Sequence, residues 1–453
     1  MPIEYTDQFW KQCWASRQGL RPDLKGAVLT AGLGKRLDPL TAYHLPKPLF
    51  PLGGKVPIAE TWARRFISSG ITDVTLNLCL MADAIKHHFN SGAKFGLDLT
   101  YVEEEVPSGT LGGVCKMALG SMAKRVSDHE IVPAMPPFTG STLLVPSGDI
   151  VANFGPDCME EMYAIHRASG AALTIVLTPI EADRRKDFGT AVLKSPERRS
   201  GQLSLSGAVQ EFREKDPDSP SCLNNASIYM IEMDLLRMID AHRTEAALKV
   251  QCPLYDFGKH LFPAMLGQLD YVTLPKDCSV LWGIQFDGRW FDVGNKRDYL
   301  HVNQRVLDGD IDVPLTYEKL PWGYLGKGVA IDFSAVKIRP PVVIGNDCKV
   351  ERGAILGPYA VIGDGWNIER GAHIENSVLW ERYPYYVDGK HAISIKKRLN
   401  VDWHEVRAGV HVKDCIIAGG RIEADTFAST VDVREDGEVV SIPLDYFSPD
   451  ERP

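Results

Sequence analysis

The sequence predicts an α/β protein: a Rossmann-like, mixed but mostly parallel sheet covered by helices, followed by a small parallel β-helix. Two observations carry this. From Lys25 to about Asn303, short aliphatic runs alternate with segments of helical periodicity, the pattern of a parallel sheet with helices on both faces. Beyond Asn303, aliphatic residues recur every sixth position, at Ile338, Ile344, Val350, Leu356, Ile362, Ile368 and Ile374. Neither a helix nor a flat strand gives that period, whereas stacked β-helix coils do.

The elements follow in order. Gly26–Thr30 is a buried-strand run ending at Ala31-Gly32-Leu33-Gly34. Ile58, Trp62 and Phe66 mark a helix that stops at Gly70, a glycine end signal. Val74–Leu80 reads as a strand, Ala82–Asn90 as a helix, Leu99–Glu105 as a strand and Leu111–Leu119 as a helix. Ser141–Val145 is a strand leading to Gly148-Asp149, Met159–Ala168 a helix and Ala171–Leu177 a further strand. Val126–Gly140, with three prolines, reads as an excursion from the core. The charged stretch Glu181–Arg199 reads as a solvated loop around a strand at Ala191–Leu193. Phe9, Trp10 and Trp14 read as one face of a short N-terminal helix. The hexads stop after Trp380 and resume at Val410, Ile416 and Ile422, so residues 381–407 read as a loop thrown out of one coil. The resulting organisation is an extension over 1–24, a sheet domain over 25–310, a linker over 311–335, a β-helix over 336–430 with its 381–407 insertion, and a tail over 431–453.

Composition narrows the function. The chain has 453 residues, 44% hydrophobic and 24% charged, enough for a sizeable core. Fifty Lys and Arg against 59 Asp and Glu leave a net charge of −9, which argues against general nucleic-acid coating, since that needs a basic field. No apolar run approaches the roughly 18 residues of a membrane span, and no signal-peptide core opens the sequence. The nine cysteines are scattered, without the close pairs of a zinc site, and read as reduced thiols of a cytoplasmic protein.

Ligands of such sheets bind outside the carboxyl ends of the strands, which directs attention to the segments after Thr30, Glu105 and Val145. Gly32 and Gly34 let backbone N–H groups approach phosphate oxygens, and Lys35 and Arg36 add cations there. The spacing fits neither the P-loop nor the dinucleotide fingerprint. The run Gly32-Leu33-Gly34-Lys35-Arg36-Leu37-Asp38-Pro39-Leu40-Thr41, then Pro46-Lys47-Pro48-Leu49, resembles the signature of the sugar nucleotidyltransferases. Four more stretches match their motifs in order: Glu103–Gly113, Gly148-Asp149, Glu211–Tyr229 and Trp290–Asn303. Some members of that family append a left-handed β-helix, as the hexads suggest here.

The resemblance implies a nucleotidyltransferase domain that condenses a nucleoside triphosphate with a hexose 1-phosphate, releasing pyrophosphate. It implies catalytic roles for Arg36, Lys47 and Lys215, and nucleotide contacts at Ala31, Gly32, Gly34, Lys35, Glu104, Gly109 and Thr110. It places the sugar phosphate at Glu214, Lys215 and Asn225, and Mg²⁺ at Asp149 and Asp292, hard oxygen donors suited to that ion. Each has a blander reading: Asp149 as the cap of the next helix, Asp292 as a turn residue before Gly294. Lys35, Asp216, Ser227 and Asn295 depart from the family pattern, standing where a small hydroxyl residue, Pro, Gly and Thr are usual. Of the branches, mannose-1-phosphate guanylyltransferase is preferred, with thymidylyl, uridylyl, adenylyl or cytidylyl transfer to glucose 1-phosphate as the alternative. Two rivals stand beside them: a non-catalytic nucleotide-sugar-binding subunit, and a bifunctional enzyme whose β-helix transfers acyl groups. His373 and His411 in the repeats, and His391 and His404 in the insertion, read as structural or surface residues. Neither a nucleic-acid nor a membrane partner is expected, and a homo-oligomer is compatible with the repeats.

Overall fold

The computed structural model describes residues 24–119, 123–127, 130–132, 142–198, 204–248, 255–269, 274–381, 404–433 and 439–445. The helix expected around Trp10 and most of the 381–407 insertion lie outside these residues. The chain divides into two compact units that do not follow chain order. The first comprises residues 1–32, 62–82 and 89–290; the second comprises 33–61, 83–88 and 291–453.

The first unit is built on an eleven-stranded sheet. Its parallel centre is β1 (Leu24–Leu29), β2 (Asp73–Leu78), β3 (Asp98–Glu103) and, on the far side of β1, β6 (Thr142–Pro146). Beyond β3 the sheet ends in two antiparallel strands, β4 (Ala123–Ser127) and β5 (Glu130–Val132). The excursion expected at Val126–Gly140 therefore begins as a sheet edge, and residues 133–140 lie outside the description. Beyond β6 come β10 (Leu223–Glu232), β8 (Thr190–Glu197), β9 (Ser206–Arg213), β11 (Leu281–Gln285) and β7 (Leu173–Pro179). The strand expected at Ala191–Leu193 within the charged stretch 181–199 is present and longer, Thr190–Glu197. β8 pairs along β9, with its last four residues exposed; an antiparallel pair accepts charged side chains that face water, so polarity hid how far the strand extends.

Helices α1 (Ile58–Ser68), α2 (Ala82–Phe89), α3 (Gly109–Leu119), α4 (Pro156–Ser169) and α5 (Met233–Leu248) follow the expected alternation. The core on one face joins Ala27, Val102, Val145, Ile175 and Tyr229 of the sheet to Leu111 and Val114 of α3 and to Phe257 and Phe262. The helix α3 is apolar almost all round, as a helix packed into the core should be.

In the second unit the hexads form a three-faced parallel β-helix. Ile338 lies in register with Leu356 and Leu356 with Ile374, one coil of three hexads apart. Val350 and Ile368 stack likewise on a second face, and Ile344 and Ile362 on a third. All seven ladder residues except Ile338 are buried. Gly323–Leu325 and Ala330–Ile331 already pair in parallel with the next coil, and Glu318–Leu320 pairs antiparallel with Gly323–Leu325, so the stretch read as a linker carries the first coil. Asn376 takes a left-handed turn (φ 45°), and the coil there is one residue short: Ala360 pairs with Ser377 and Ile362 with Leu379. The resumed ladder accordingly runs through Val406, Val412, Ile417 and Ile422. That corrects the expected phase at Val410 and Ile416; Ile422 falls where expected. His404–Val406 is a coil strand pairing with Asn367–Ile368, so the insertion ends before residue 404. Ser429–Val433 and Val439–Pro443 close the last coil as an antiparallel pair.

Candidate active site

The residues singled out in the sequence fall into two sets, one on each unit. On the first, β1, β2, β3 and β6 bring their carboxyl ends to one edge of the sheet. Thr30 donates its backbone N–H to Asn77 Oδ1 at 2.7 Å, and Gly148 donates to the carbonyl of Leu29 at 2.8 Å. Ala31-Gly32 and Ser147-Gly148-Asp149 therefore leave the sheet side by side. Ala31 is buried and Gly32 exposed, with no atom within 4 Å of where a Cβ would stand on Gly32. Asp149 is half-buried, and its Oδ1 accepts from Ser147 Oγ at 2.5 Å. The following helix α4 begins at Pro156 with Gly155 as its cap, so Asp149 is not a helix cap.

Glu104, at the end of β3, is a brace. Its Oε1 accepts from Asn77 Nδ2 at 2.8 Å. Its Oε2 accepts from Ser108 N at 3.0 Å and Lys116 Nζ at 3.0 Å, and also from the Ser108 hydroxyl. Burial alone would raise its pKa, but the bonds from Ser108, Asn77 and Lys116 outweigh that and hold the carboxyl below its ordinary range. With both oxygens engaged, Glu104 braces the 104–110 loop. The sequence carried one sign of this: Asn77 is a polar residue inside an apolar strand run.

Gly109 and Thr110 open α3 and are tied to a segment the sequence did not single out. Gly109 has φ +79°, and a Cβ there would stand 2.4 Å from the Tyr255 carbonyl oxygen, so only glycine fits. Thr110 Oγ1 donates to Asp256 Oδ2 at 3.1 Å. Nearby, Glu214 Oε2 would lie 2.5 Å from a Cβ at Gly189 and 2.3 Å from one at Gly258. Burial first, then the Asp256 carboxylate, raises the Glu214 pKa against Lys215 and Lys259. Lys215 is exposed with φ 53°, and its backbone N–H donates to Phe188 O. Asn225 donates its backbone N–H to Gly189 O at 2.8 Å, so Glu214, Lys215 and Asn225 converge on Phe188-Gly189. The Asn225 amide donates to Tyr229 Oη at 2.9 Å and accepts from Ser227 N at 2.9 Å.

On the second unit, Gly34 (φ 63°) starts a single turn, Lys35–Leu37, with Lys35 and Arg36 exposed and Leu37 buried. Thr41 Oγ1 lies 3.0 Å from Gly34 O and 2.7 Å from Asp38 Oδ1, locking the turn. A Cβ on Gly34 would be 3.4 Å from Lys47 Cβ. Lys47 Nζ stands 3.8 Å from Asp292 Oδ1, the two side chains 12% and 29% exposed. The structure thus gathers Gly34, Lys47 and Asp292 with the Lys35-Arg36 turn close by.

Three departures from the family pattern acquire reasons. Asn295 caps the helix α6 (Lys296–Leu307), accepting from Asp298 N at 3.0 Å as an N-cap asparagine should. Asp216 is taken up by Arg213 Nη1 at 3.0 Å and by Asp218 N at 2.9 Å. Ser227 holds φ 56°, a conformation easier for glycine. Nothing in the structure explains Lys35 in place of a small residue.

A mostly parallel sheet with glycine-containing turns at its carboxyl edge makes the first unit an α/β fold. Residues 25–309 match the family model described as Nucleotidyl transferase, and the chain belongs to that family. It is 27% identical over 365 residues to a UTP–glucose-1-phosphate uridylyltransferase of Synechocystis sp., covering 79% of this chain and 83% of the relative. It is 28% identical over 353 residues to a mannose-1-phosphate guanylyltransferase of Mycobacterium tuberculosis, covering 77% and 82%. A mannose-1-phosphate guanyltransferase of Schizosaccharomyces pombe is 26% identical over 330 residues, 72% of this chain and 74% of the relative.

Proposed function

We propose that the chain is a sugar-1-phosphate nucleotidyltransferase. A phosphate oxygen of the sugar 1-phosphate attacks the α-phosphorus of a nucleoside triphosphate in line. The new P–O bond forms as the bond to the β-phosphate oxygen breaks, and pyrophosphate leaves. Such transfer needs positioning and charge neutralisation rather than a covalent nucleophile. The observation that carries the reading is the Lys47–Asp292 pair, 3.8 Å apart, beside the Gly34 turn. A half-buried lysine and carboxylate so placed offer one cation to a phosphate oxygen and one anion to a metal ion.

In this reading the exposed Arg36 neutralises the β and γ phosphates, assisted by Lys35, and Lys47 the α-phosphate. Lys215 holds the sugar phosphate, and Glu214 and Asn225 face sugar hydroxyls. Ala31, Gly32, Gly34, Gly109 and Thr110 meet the nucleotide through closely approached backbone. Asp149 and Asp292 fit Mg²⁺ by chemistry, both being half-buried carboxylates; when bound, the ion would offset phosphate charge. A cytoplasmic setting, proposed from the scattered thiols, suits this chemistry. Among the described residues no helix is long and apolar enough to cross a membrane.

The test is pyrophosphate release across a matrix of triphosphates and sugar 1-phosphates, with the product identified by mass. GTP with mannose 1-phosphate forms its first arm and UTP with glucose 1-phosphate its second, because relatives of both activities align over comparable lengths. Tight nucleotide-sugar binding without turnover in any arm would replace the enzyme with a binding subunit.

A further inference from the structure

The β-helix brings together side chains that lie far apart in sequence. His373 and His411 occupy the same position on successive coils, in direct register. Their rings stack at a centroid distance of 4.1 Å and an angle of 6°, close to the spacing of neighbouring strands. Both Nε2 atoms are buried without a hydrogen-bond partner among the described residues. Buried polar atoms ordinarily find one, so two together call for an explanation. Glu375, two residues along the same strand, places Oε2 3.8 Å from His373 Nε2. One ligand atom from each of the three residues lies within 4.8 Å of the others.

We propose that His373, His411 and Glu375 form a binding site for a divalent transition-metal ion, of which Zn²⁺ is the type. Two imidazoles and one carboxylate are a donor set that borderline-soft cations prefer and Mg²⁺ does not. The ligand atoms must draw in to reach coordination distances of about 2.0–2.2 Å, so binding turns the two rings out of their parallel stack. Three protein ligands leave one position for water or for a group from outside. The charge around the site sets its strength. Lys413 Nζ pairs with the other Glu375 oxygen at 2.7 Å, and Arg339 acts on His373 as a further positive charge. His411 is flanked by Phe427, edge-on at 5.1 Å, and its backbone N–H is held by Asp425 Oδ1 at 2.8 Å. Lys413 therefore competes with the metal for Glu375, so its removal strengthens binding, a sign opposite to that of any ligand substitution.

The experiment uses the full chain and Co²⁺ as a spectroscopic probe, with Zn²⁺ as competitor. One equivalent of Co²⁺ is expected to give weak visible ligand-field bands, abolished by stoichiometric Zn²⁺ and unaffected by millimolar Mg²⁺. His373→Gln and His411→Gln are each expected to weaken binding by about tenfold or more, and Lys413→Met to tighten it several-fold. Thermal melts without metal show whether the variants fold, and Lys413→Met keeps the test independent of any histidine change. The proposal is overturned if the wild-type chain binds no Co²⁺, if both histidine variants keep the equivalent, or if an intense sulfur-to-cobalt band places the ion on a cysteine. It does not depend on the transferase reading, since the readout is the ion's own spectrum.

Discussion

At the residue scale, the carboxylates differ in how completely the protein engages them. Glu104 is fully engaged by Asn77, Ser108 and Lys116, so its charge serves folding. Glu104→Gln should destabilise the chain by about 1–3 kcal/mol, the cost of disrupting a buried charged acceptor, measured by urea unfolding at neutral pH. The pH dependence follows from the direction of its shift: the folded pKa lies below the ordinary 4.5. Its stabilisation is complete above the unfolded value and is lost as pH falls through the folded one, and Glu104→Gln should flatten that acid limb. Asp149 and Asp292 are only half-buried; Asp149→Asn or Asp292→Asn should leave the melting temperature near wild type and lower turnover by roughly 100-fold. Near-normal turnover of either variant at limiting Mg²⁺ would remove that residue from the metal site. The ordered motifs made these residues legible as candidates. They did not show that Glu104 is a brace, because that depends on what Ser108, Lys116 and Asn77 reach in space.

The scale of elements is where the hexads matter. Leu356 is fully buried within the prism, so Leu356→Ala should cost about 2–5 kcal/mol through lost burial and a cavity, read from denaturant midpoints. The β-helix itself was plain from a period of six, since that count is the geometry of a coil. The shift at Asn376 was not, because a tight left-handed turn drops a residue without changing which side chains are apolar. At the next corner, Lys55 Nζ bonds both Asp364 at 2.7 Å and Glu381 at 2.6 Å. Burial, reinforced by Asp364 and opposed by Lys55, pushes the Glu381 pKa up to about 7. A raised acid pKa gives stability that is complete below the unfolded value and declines as pH rises through about 7. Glu381→Gln, which mimics the protonated acid, should abolish that decline, so the melting temperature of the variant should exceed that of wild type by about 2–4 °C at pH 8 and match it at pH 5.

Across the whole molecule, chain order and spatial order part company. The signature segment 33–61 belongs to the same compact unit as the β-helix. Phe50 packs on Trp380 at a centroid distance of 4.8 Å, and Trp380 Nε1 donates to Tyr299 Oη at 3.0 Å. Gly53 N donates to Asn303 Oδ1 at 2.8 Å. A chain ended at residue 310 would expose Phe50 and Tyr299 and strand Lys55 without its carboxylates. We expect such a chain to lose transferase turnover and soluble yield together, which size-exclusion chromatography and pyrophosphate assay would show. Sequence marked 25–310 as one domain because its motifs are contiguous there. It gave no sign of the Phe50–Trp380 packing, since aromatic pairing across hundreds of residues leaves no period.

The corner between Leu379 and Val406 also bears on what the β-helix can carry. Elsewhere the chain crosses that corner in one hexad, from Ile362 to Ile368, yet the strands flanking the longer crossing keep the register of their neighbours. Length at this point is decoupled from the stacking of the prism. A reporter protein spliced between residues 382 and 403 should therefore be carried as a passenger, with the melting temperature of the β-helix near wild type.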